Sequence, residues 1–285
     1  MPGTLFVVAT PIGNLEDITA RALRILREVT LIAAEDTRRT AHLLARYSIH
    51  TPTTSLHKHN EHRKSSVLIE RLMRGDDVAL VSDAGTPVVS DPGQHFIRAA
   101  ISAGVRVEPI PGPSAIMTAL AASGLAADTF TFLGFPPTRA MDRAAWFKRL
   151  SEAHGTVVFF ESPHRIRATL EELLARVGDG PSVVCRELTK VHETLVRGPI
   201  SEVLRAHRQS QGELTVVLEI NPTTGQTTEH AESSVPTDRD LAIQFGEITE
   251  LKGVTKRKAI NILARRHGRP PNEIYKAVER GRKLA

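Results

Sequence analysis

The sequence predicts an α/β protein with two α/β domains, a ligand site between them and a small helical domain at the carboxyl end. Short apolar runs alternate with helically spaced segments over the first 115 residues, which is typical of parallel sheets. Two of these runs, residues 78–81 and 105–110, end in loops rich in Gly, Pro, Ser and Asp. Because ligands bind at the carboxyl edge of open parallel sheets, this pair of loops indicates a small-molecule site.

The amino-terminal half contains four predicted strands, at residues 5–9, 31–34, 78–81 and 105–110. Asp17 or Thr19 is expected to cap the first helix, which has apolar residues at helical spacing. Further helices are expected over residues 61–74 and 92–103. This alternation places the carboxyl ends of the strands at one sheet edge.

Residues 51–64 are polar and contain His57, His59 and His62. Histidines at this spacing can ligate zinc, but no cysteine or second ligand cluster lies nearby, so we predict no metal site. A mobile polar loop beside the ligand site is expected instead. The single cysteine, Cys185, lies in an apolar run and is expected to be a small buried hydrophobic residue.

The second half of the first 222 residues has a different pattern. Strands are predicted at 130–135, 157–160, 183–187 and 214–220, with a short strand at 193–198 that introduces a hairpin. Helices are expected around Trp146, at 170–177 and at 200–207. The predicted domains are therefore 1–115 and 116–222, with the ligand between them, because domain junctions are favoured pocket sites.

The carboxyl-terminal region concentrates the positive charge. Residues 223–240 are predicted to be a flexible linker, because they hold almost no apolar side chains. Residues 241–285 are predicted to be a basic helical domain with Thr255 and Asn272 as N-caps. They contain 11 Lys or Arg against 4 Asp or Glu, whereas the other 240 residues contain 26 against 28. This asymmetry indicates a polyanionic partner.

Composition excludes several classes of protein. No apolar run approaches the length of a membrane span and no signal peptide opens the chain, so we expect a soluble, cytoplasmic protein that binds no membrane. Aromatic residues make up only 4% of the chain, which disfavours an RNA-binding sheet that stacks bases.

The loops restrict the ligand. Neither G-x-G-x-x-G nor G-x-x-x-x-G-K-[ST] occurs, so the dinucleotide fingerprint and the P-loop are absent. The strand-end loops carry Asp83 and Asp91 rather than lysine, which disfavours a phosphate cradle. An acid beside glycine suits a ribose hydroxyl or a cation, and S-adenosylmethionine is the commonest nucleoside cofactor without phosphates.

Five sequence blocks resemble a known family. They are residues 9–19 (ATPIGNLEDIT), 35–38 (EDTR), 81–93 (VSDAGTPVVSDPG), 111–115 (PGPSA) and 159–165 (FFESPHR). In this order they resemble the tetrapyrrole-methylase superfamily, and within it the ribosomal RNA small-subunit methyltransferase I family. The resemblance covers about residues 4–220, and the basic tail is similar to the family's carboxyl-terminal extension.

The resemblance implies two α/β domains of the tetrapyrrole-methylase type and an enzyme that uses S-adenosylmethionine. The implied reaction is methylation of the 2′-hydroxyl of a cytidine in 16S rRNA, with the rRNA or the small ribosomal subunit as partner and a homodimer as assembly. The cofactor contacts carried over are Ile12, Ser82, Asp83, Thr86, Ser114, Ala115, Glu161 and Leu188, with Gly212 and Glu213 as a further wall. Gly85 joins them because it allows close backbone approach.

One departure from the superfamily concerns the first loop. It reads Pro-Ile-Gly-Asn where tetrapyrrole enzymes have Gly-Pro-Gly-Asp, which counts against a tetrapyrrole substrate. A small-molecule methyltransferase of the same fold is the alternative function, but it has no use for a basic tail. A non-enzymatic RNA-binding protein is a third hypothesis, which has no need of the cofactor loop.

The catalytic group stays open between several residues, and for each acid a structural ion pair or helix cap is an equal alternative. A ribose hydroxyl is a weak acid, so the site needs a proton acceptor or a group that stabilises the alkoxide. The predicted candidates are Glu35, Glu187 and Lys190, with Glu161 also considered. Lys190 can act as a base only if burial lowers its pKa.

The predicted RNA contacts are arginines and lysines. Arg38, Arg165 and Arg186 are expected to hold phosphates, because a guanidinium stays charged and cannot act as a base. In the tail, the predicted contacts are Lys256, Arg257 and Lys258.

Overall fold

The computed structural model describes residues 1–206, 211–220, 238–251, 255–267 and 269–283. Contacts within the chain group into two units, Met1–Thr224 and Gly225–Ala285. The first unit contains both predicted α/β halves, so a domain boundary at residues 115 and 116 stays a prediction. The predicted linker, 223–240, lies outside the described residues except for its last three, which begin a helix.

A five-stranded parallel sheet forms the amino-terminal half of the described first unit, in the order β3-β2-β4-β1-β5. Its strands are β1 (Thr4–Val8), β2 (Leu31–Ala34), β3 (Thr53–Ser55), β4 (Val78–Val81) and β5 (Arg106–Ile110). Every residue of β2 and β4 is buried, because helices cover both faces of the sheet. The sequence analysis missed β3, since Thr-Thr-Ser in a polar stretch has no apolar pattern.

The helices of this half are α1 (Ala20–Glu28), α2 (Thr37–Arg46), α3 (Glu61–Met73), α4 (Gln94–Ser102) and α5 (Ala115–Ser123). Helices α1 and α2 pack on one face of the sheet, and α3 and α4 pack on the other. Thr19 caps α1 by accepting a hydrogen bond from the amide of Ala22, which confirms one of the two predicted caps. Neighbouring strands β1 and β4 are therefore followed by helices on opposite faces, and such a switch opens a crevice at the strands' carboxyl ends.

The second sheet of the unit is mixed, in the order β6-β7-β10-β8-β9. Its strands are β6 (Phe130–Phe132), β7 (Gly155–Glu161), β8 (Pro181–Arg186), β9 (Thr194–Pro199) and β10 (Leu214–Ile220). Its helices are α6 (Ala140–Ser151), α7 (Ile166–Val177) and α8 (Ile200–Ala206). Strands β8 and β9 form the predicted hairpin, and β10 is antiparallel to both of its neighbours.

Alternation along β7 divides the second sheet between two cores. Val157 and Phe159 pack against α6 and α7, whereas Val158 points to the opposite face. That face packs against Ile12, in the loop after β1, and against α5. Cys185 is fully buried in the same core, and burial raises the pKa of its thiol to about 11. The contact between this face and the loops of the first sheet builds the site.

The second unit contains α9 (Asp238–Leu251), α10 (Lys256–His267) and α11 (Pro271–Lys283) around an apolar core. Thr255 directly precedes α10, where the sequence predicts its cap. Asn272 was wrongly predicted as a cap: it is the second residue of α11, and a proline, whose fixed φ suits that position, begins the helix. Within the described ranges, no helix is both long and apolar enough to span a membrane.

Candidate functional site

A cavity of about 350 Å³ lies between the two sheets of the first unit, which is a volume typical of small-molecule sites. It is lined by nine of the eleven predicted cofactor residues: Ile12, Gly85, Thr86, Ser114, Ala115, Glu161, Leu188, Gly212 and Glu213. The other two, Ser82 and Asp83, lie outside this lining and border a smaller cavity of about 70 Å³. The loops after β1, β4, β5, β7 and β8 therefore meet around one space.

Apolar side chains complete the walls, and the sequence analysis did not identify them. Val89, Ile116, Phe135 and Phe160 line the cavity, and the rings of Phe135 and Phe160 lie 5.3 Å apart. The run around Phe135 predicted a strand only. Its position after a strand end, beside glycine, was the available signal for a role in the site.

Glycine residues allow the loops that surround the cavity to come close to one another. Thr10 and Gly85 form a two-hydrogen-bond bridge between the loops after β1 and β4, with N–O distances of 2.9 and 3.0 Å. Gly85 has a φ of +76°, in the left-handed region, and a Cβ there would lie 3.3 Å from Ile12. A Cβ at Gly13 would lie 2.8 Å from the carbonyl oxygen of Leu188, so the loops of the two sheets are in backbone contact.

Glu161 is held by the protein on all sides. Its side chain is fully buried and forms an ion pair with Arg165 at 2.7 Å. It also accepts hydrogen bonds from the hydroxyl of Thr169 at 2.6 Å and from the amide of Ser162 at 2.7 Å. Arg165 further donates to the carbonyl oxygen of Pro136. The pair thus fixes the junction of β7 and α7, and Arg165 has little freedom to bind a phosphate.

The side chain of Lys190 forms ion pairs with both Glu187 and Glu213. The ammonium of Lys190 lies 2.9 Å from Glu187 and 3.1 Å from Glu213. Partial burial lowers the pKa of Lys190, but the hydrogen bonds to both acids outweigh it, and the pKa lies above its ordinary value. The amide of Glu213 and then Lys190 lower the pKa of Glu187. Lys190 therefore does not meet the condition for a base, a pKa lowered by burial, because acids 3 and 23 residues away surround it.

Glu35, Glu187 and Lys190 each follow an apolar strand in the sequence, but the structure does not bring them to one edge of a parallel sheet. Glu35 follows β2 of the first sheet, whereas Glu187 follows β8 of the second, which pairs antiparallel with both neighbours. None of Glu35, Glu187 and Lys190 lines the cavity. Apart from the predicted hairpin, the antiparallel pairing was not visible in the sequence, because both sheet types give apolar runs.

The remaining two arginines differ in exposure. Arg186 donates to Thr194, to His192 and to Gln211, which ties the end of β8 to the hairpin. Arg38 is 90% exposed and pairs with Asp36, whose pKa its hydrogen bonds lower to about 2. Arg38 is therefore the more accessible of the two for an RNA phosphate.

Three acids lie close together after β2 and β4. Asp83 accepts a hydrogen bond from the amide of Asp36 at 2.9 Å, and its own amide donates to Glu35 at 3.4 Å. Burial and then the charge of Asp83 raise the pKa of Glu35. Burial and then the charge of Glu35 raise the pKa of Asp91 to about 6. Of these acids, Asp91 alone lines the cavity.

The loop that carries Asp91 is strained. Val88 and Ser90 have φ values of 77° and 68°, which side chains rarely adopt. Glu61, which the sequence analysis did not identify, anchors the end of the loop: one carboxylate oxygen accepts from the amides of Gly93, His95 and Phe96. Such strain persists only where the surroundings hold it, and it clusters at functional sites.

The histidine-rich segment borders these acids. Lys58 lowers the pKa values of both Glu35 and Asp91 through its charge, so the segment lies beside the site. His62 stacks on His95 with ring centroids 3.9 Å apart. In the part of the chain that the structure describes, no group of three or more His, Cys, Asp or Glu is placed to hold a metal ion.

Replacing Asp91 by asparagine is expected to raise the free energy of unfolding at pH 8 and to leave it nearly unchanged at pH 4. Between pH 3.8 and about 6 the folded protein keeps a proton on Asp91 that the unfolded chain loses, so the parent loses stability as pH rises. The full shift corresponds to about 3 kcal/mol, which partial exposure reduces to about 1 kcal/mol. Urea unfolding measures the difference, with Asp142→Asn as control. A variant less stable than the parent at pH 8 contradicts it.

Comparison with known proteins decides the family. A family model described as Tetrapyrrole (Corrin/Porphyrin) Methylases matches residues 4–204. A relative from Haemophilus influenzae named Ribosomal RNA small subunit methyltransferase I is 41% identical over 280 residues, 96% of each chain. The chain belongs to the ribosomal RNA small subunit methyltransferase I family. A Pseudomonas aeruginosa relative of the same name is 46% identical over 221 residues, 76% of this chain and 78% of the relative.

Solved structures give the fold of this methyltransferase I family member. Diphthine synthase matches with a TM-score of 0.61 at 19% identity, over 76% of this chain and 90% of its own. Uroporphyrin-III C-methyl transferase from Thermus thermophilus, complexed with S-adenyl homocysteine, matches with a TM-score of 0.56 at 19% identity, over 76% and 97%. The predicted fold class and the predicted family are confirmed.

Proposed function

We propose that this protein transfers a methyl group from S-adenosylmethionine to the 2′-hydroxyl of a cytidine in 16S rRNA. The observation that carries the proposal is the cavity between the sheets, which collects nine of the eleven residues assigned to the cofactor. The names of relatives that are similar over 96% of the chain support ribosomal RNA as the substrate. A homodimer stays a prediction, which sedimentation equilibrium tests.

The cavity fits this cofactor chemically. Phe135, Phe160 and Leu188 offer apolar surface for a base, and Gly85 and Gly212 bring main chain to the lining. Glu213 suits the cationic amino group. The structural neighbour complexed with S-adenyl homocysteine supports the same ligand class. When bound, the cofactor supplies an electrophilic methyl group, and the loops orient and desolvate the acceptor.

The tail supports a polyanionic substrate. Lys256, Arg257 and Lys258 form the exposed first turn of α10, which contains no acid. None of the three pairs with an acid among the residues that the structure describes. Helix amino termini favour negative charge, so three cations there are unfavourable for the isolated helix and become favourable when phosphates bind.

Replacing Lys256, Arg257 and Lys258 together by alanine is expected to flatten the salt dependence of RNA binding. Each lost phosphate contact removes about 0.7–0.9 from the slope of log affinity against log salt, so the slope should fall by about 2. Fluorescence anisotropy with an rRNA fragment over a salt series measures it. The control replaces three exposed arginines of the first unit, Arg63, Arg98 and Arg149. Equal slopes for the tail variant and the parent contradict an RNA role for this turn.

The proposed function is tested in cells by mapping rRNA modifications with and without the gene for this chain. Mass spectrometry of nuclease fragments should show one 2′-O-methylcytidine in 16S rRNA that disappears on deletion and returns with the restored gene. Unchanged rRNA together with a lost small-molecule methylation favours the alternative function. Naked rRNA and assembled small subunits, offered separately to the purified protein, distinguish the two forms of substrate.

A further inference from the structure

We propose that Asp91 is the catalytic base that accepts the proton of the 2′-hydroxyl. The inference rests on the proposed function, and it assigns to this reaction a residue that the sequence analysis did not include among the catalytic candidates. It follows from which acids face the cavity, which of them are already paired, and how the loop after β4 is built.

Three acids line the cavity, and two of them are paired with cations. Glu161 is enclosed by Arg165, Thr169 and Ser162. Glu213 forms an ion pair with Lys190 at 3.1 Å. Asp91 forms no ion pair with any residue of the described ranges, and Lys58 acts on it only through its charge, so Asp91 is the lining acid whose carboxylate has no ion-pair partner.

The other candidates are less suited to proton transfer. Glu35 does not line the cavity, and its carboxylate accepts from the amide of Asp83. The carboxylate of Glu187 accepts hydrogen bonds from the amide of Glu213 and from the ammonium of Lys190, and both bonds lower its affinity for a proton. Lys190 is bound to two acids and stays protonated at neutral pH. A base must reach the proton it abstracts, and none of the three is at the cavity wall.

The chain holds Asp91 in place from both sides. On one side Ser90, with a φ of 68°, turns the backbone. On the other side Pro92 is buried, and the amide of Gly93 donates to Glu61 at 3.1 Å. Gly93 has a φ of 122°, which side chains rarely adopt, and a Cβ there would lie 2.8 Å from the side chain of Leu80 in β4, so glycine suits the packing of the loop on the strand. Asp91 is thus presented by an anchored loop.

The charges around Asp91 suit a base that works near neutral pH. Burial and the charges of Glu35 and Asp83 raise its pKa, while Ser82 and Lys58 lower it, with a result of about 6. A carboxylate of this pKa is ionised at pH 7.5 and is a stronger proton acceptor than an ordinary aspartate. Glu35 is a positioning residue, because its charge raises the pKa of Asp91. The charges of Lys58 and Arg39 in turn lower the pKa of Glu35.

The transfer balances with these groups alone. The 2′-oxygen forms a bond to the methyl carbon while the carbon–sulfur bond breaks and its electron pair stays on sulfur. The hydroxyl proton passes to the carboxylate of Asp91, which becomes a neutral acid and later releases the proton to water. The products are the 2′-O-methyl ether and S-adenosylhomocysteine.

The test is single-turnover methylation of small-subunit RNA by the full-length chain, with saturating cofactor and RNA, from pH 5 to pH 9. For the parent, the rate should rise with pH to a plateau with a midpoint near 6. Asp91→Asn should lose about 100-fold or more at pH 8 and lose this midpoint. Glu35→Gln should move the midpoint to lower pH, because it removes a charge that opposes ionisation of Asp91, and it should lower the plateau rate, because Asp91 then becomes a weaker base. Asp142→Asn, an exposed acid on α6, should behave as the parent.

Two further readouts separate the possible failures. Calorimetry of cofactor binding by Asp91→Asn shows whether a loss of methylation rate comes from a cofactor site that has collapsed or no longer binds the cofactor. NMR titration of the Asp91 carboxyl in the protein alone measures its ionisation without turnover. If the parent methylates the 2′-hydroxyl and Asp91→Asn keeps both rate and midpoint, the role of Asp91 is overturned while the proposed function stands. If the parent makes no 2′-O-methyl product, the proposed function fails and this inference fails with it.

Discussion

Replacing Glu161 by alanine is expected to lower the free energy of unfolding of the first unit by about 3 kcal/mol, the lower end of the range for a broken buried ion pair. The carboxylate is fully buried, whereas its partner Arg165 is 30% exposed and can partly rehydrate. The variant also leaves the hydroxyl of Thr169 and the amide of Ser162 without their acceptor. Urea unfolding at pH 7, followed by circular dichroism, measures the loss.

The matched control for this prediction is Glu171→Ala. Glu171 pairs with Arg167 within α7 at the same spacing of four residues, but both side chains are more than half exposed, so its loss should cost less than about 1 kcal/mol. Glu161→Gln should lie between the two alanine variants, because an amide keeps one acceptor oxygen. Equal losses for the buried and the exposed pair are incompatible with a structural role for Glu161.

Replacing Gly13 by alanine is expected to weaken binding of S-adenosylmethionine by about tenfold or more, which corresponds to at least about 1.4 kcal/mol. The added Cβ meets the side chains of Lys190 and Thr189, which can move, and the carbonyl oxygen of Leu188, which belongs to the backbone. The loop that carries Leu188 must therefore shift, and it is a wall of the cavity. Isothermal titration calorimetry measures the change.

The control for Gly13 is Gly246→Ala. Gly246 lies in α9 of the second unit, and a Cβ there meets nothing within 4 Å, so this variant tests the glycine-to-alanine change without the clash. It should bind the cofactor as the parent does. If Gly13→Ala also binds normally, the two loops do not need to be in contact for the cofactor site to form.

Local sequence patterns predicted most of the helices and strands of the fold. Apolar runs such as 31–34 and 78–81 identified strands because parallel strands are buried on both faces. Strand β3 was not predicted, because Thr53–Ser55 is polar and has no apolar pattern. It forms by pairing with β2. Apart from the β8–β9 hairpin, the antiparallel pairing in the mixed second sheet was not predicted either, because pairing direction depends on contacts between distant segments, which no single run encodes.

The site was predictable as a set of loops, but the roles of its acids were not. Glycine and acid at strand ends identify a cradle, since backbone must come close to a ligand there. Whether an acid is free depends on its partners, and those of Glu187 and Glu161 come from other loops or the next helix. Asp91 lines the cavity and forms no ion pair within the described ranges, although the charge of Lys58 reaches it, and sequence spacing reveals neither property.

Product analysis with purified components is the most direct measurement of 2′-O-methylation of a cytidine in small-subunit rRNA. The full-length chain is incubated with methyl-labelled S-adenosylmethionine and small subunits that lack the modification, and the rRNA is then hydrolysed with alkali. A methyl group on the 2′-oxygen blocks cleavage at that position, so we expect label in an alkali-resistant dinucleotide that begins with cytidine. Label recovered in single nucleotides, which places the methyl group on a base, or no label in rRNA at all, contradicts it.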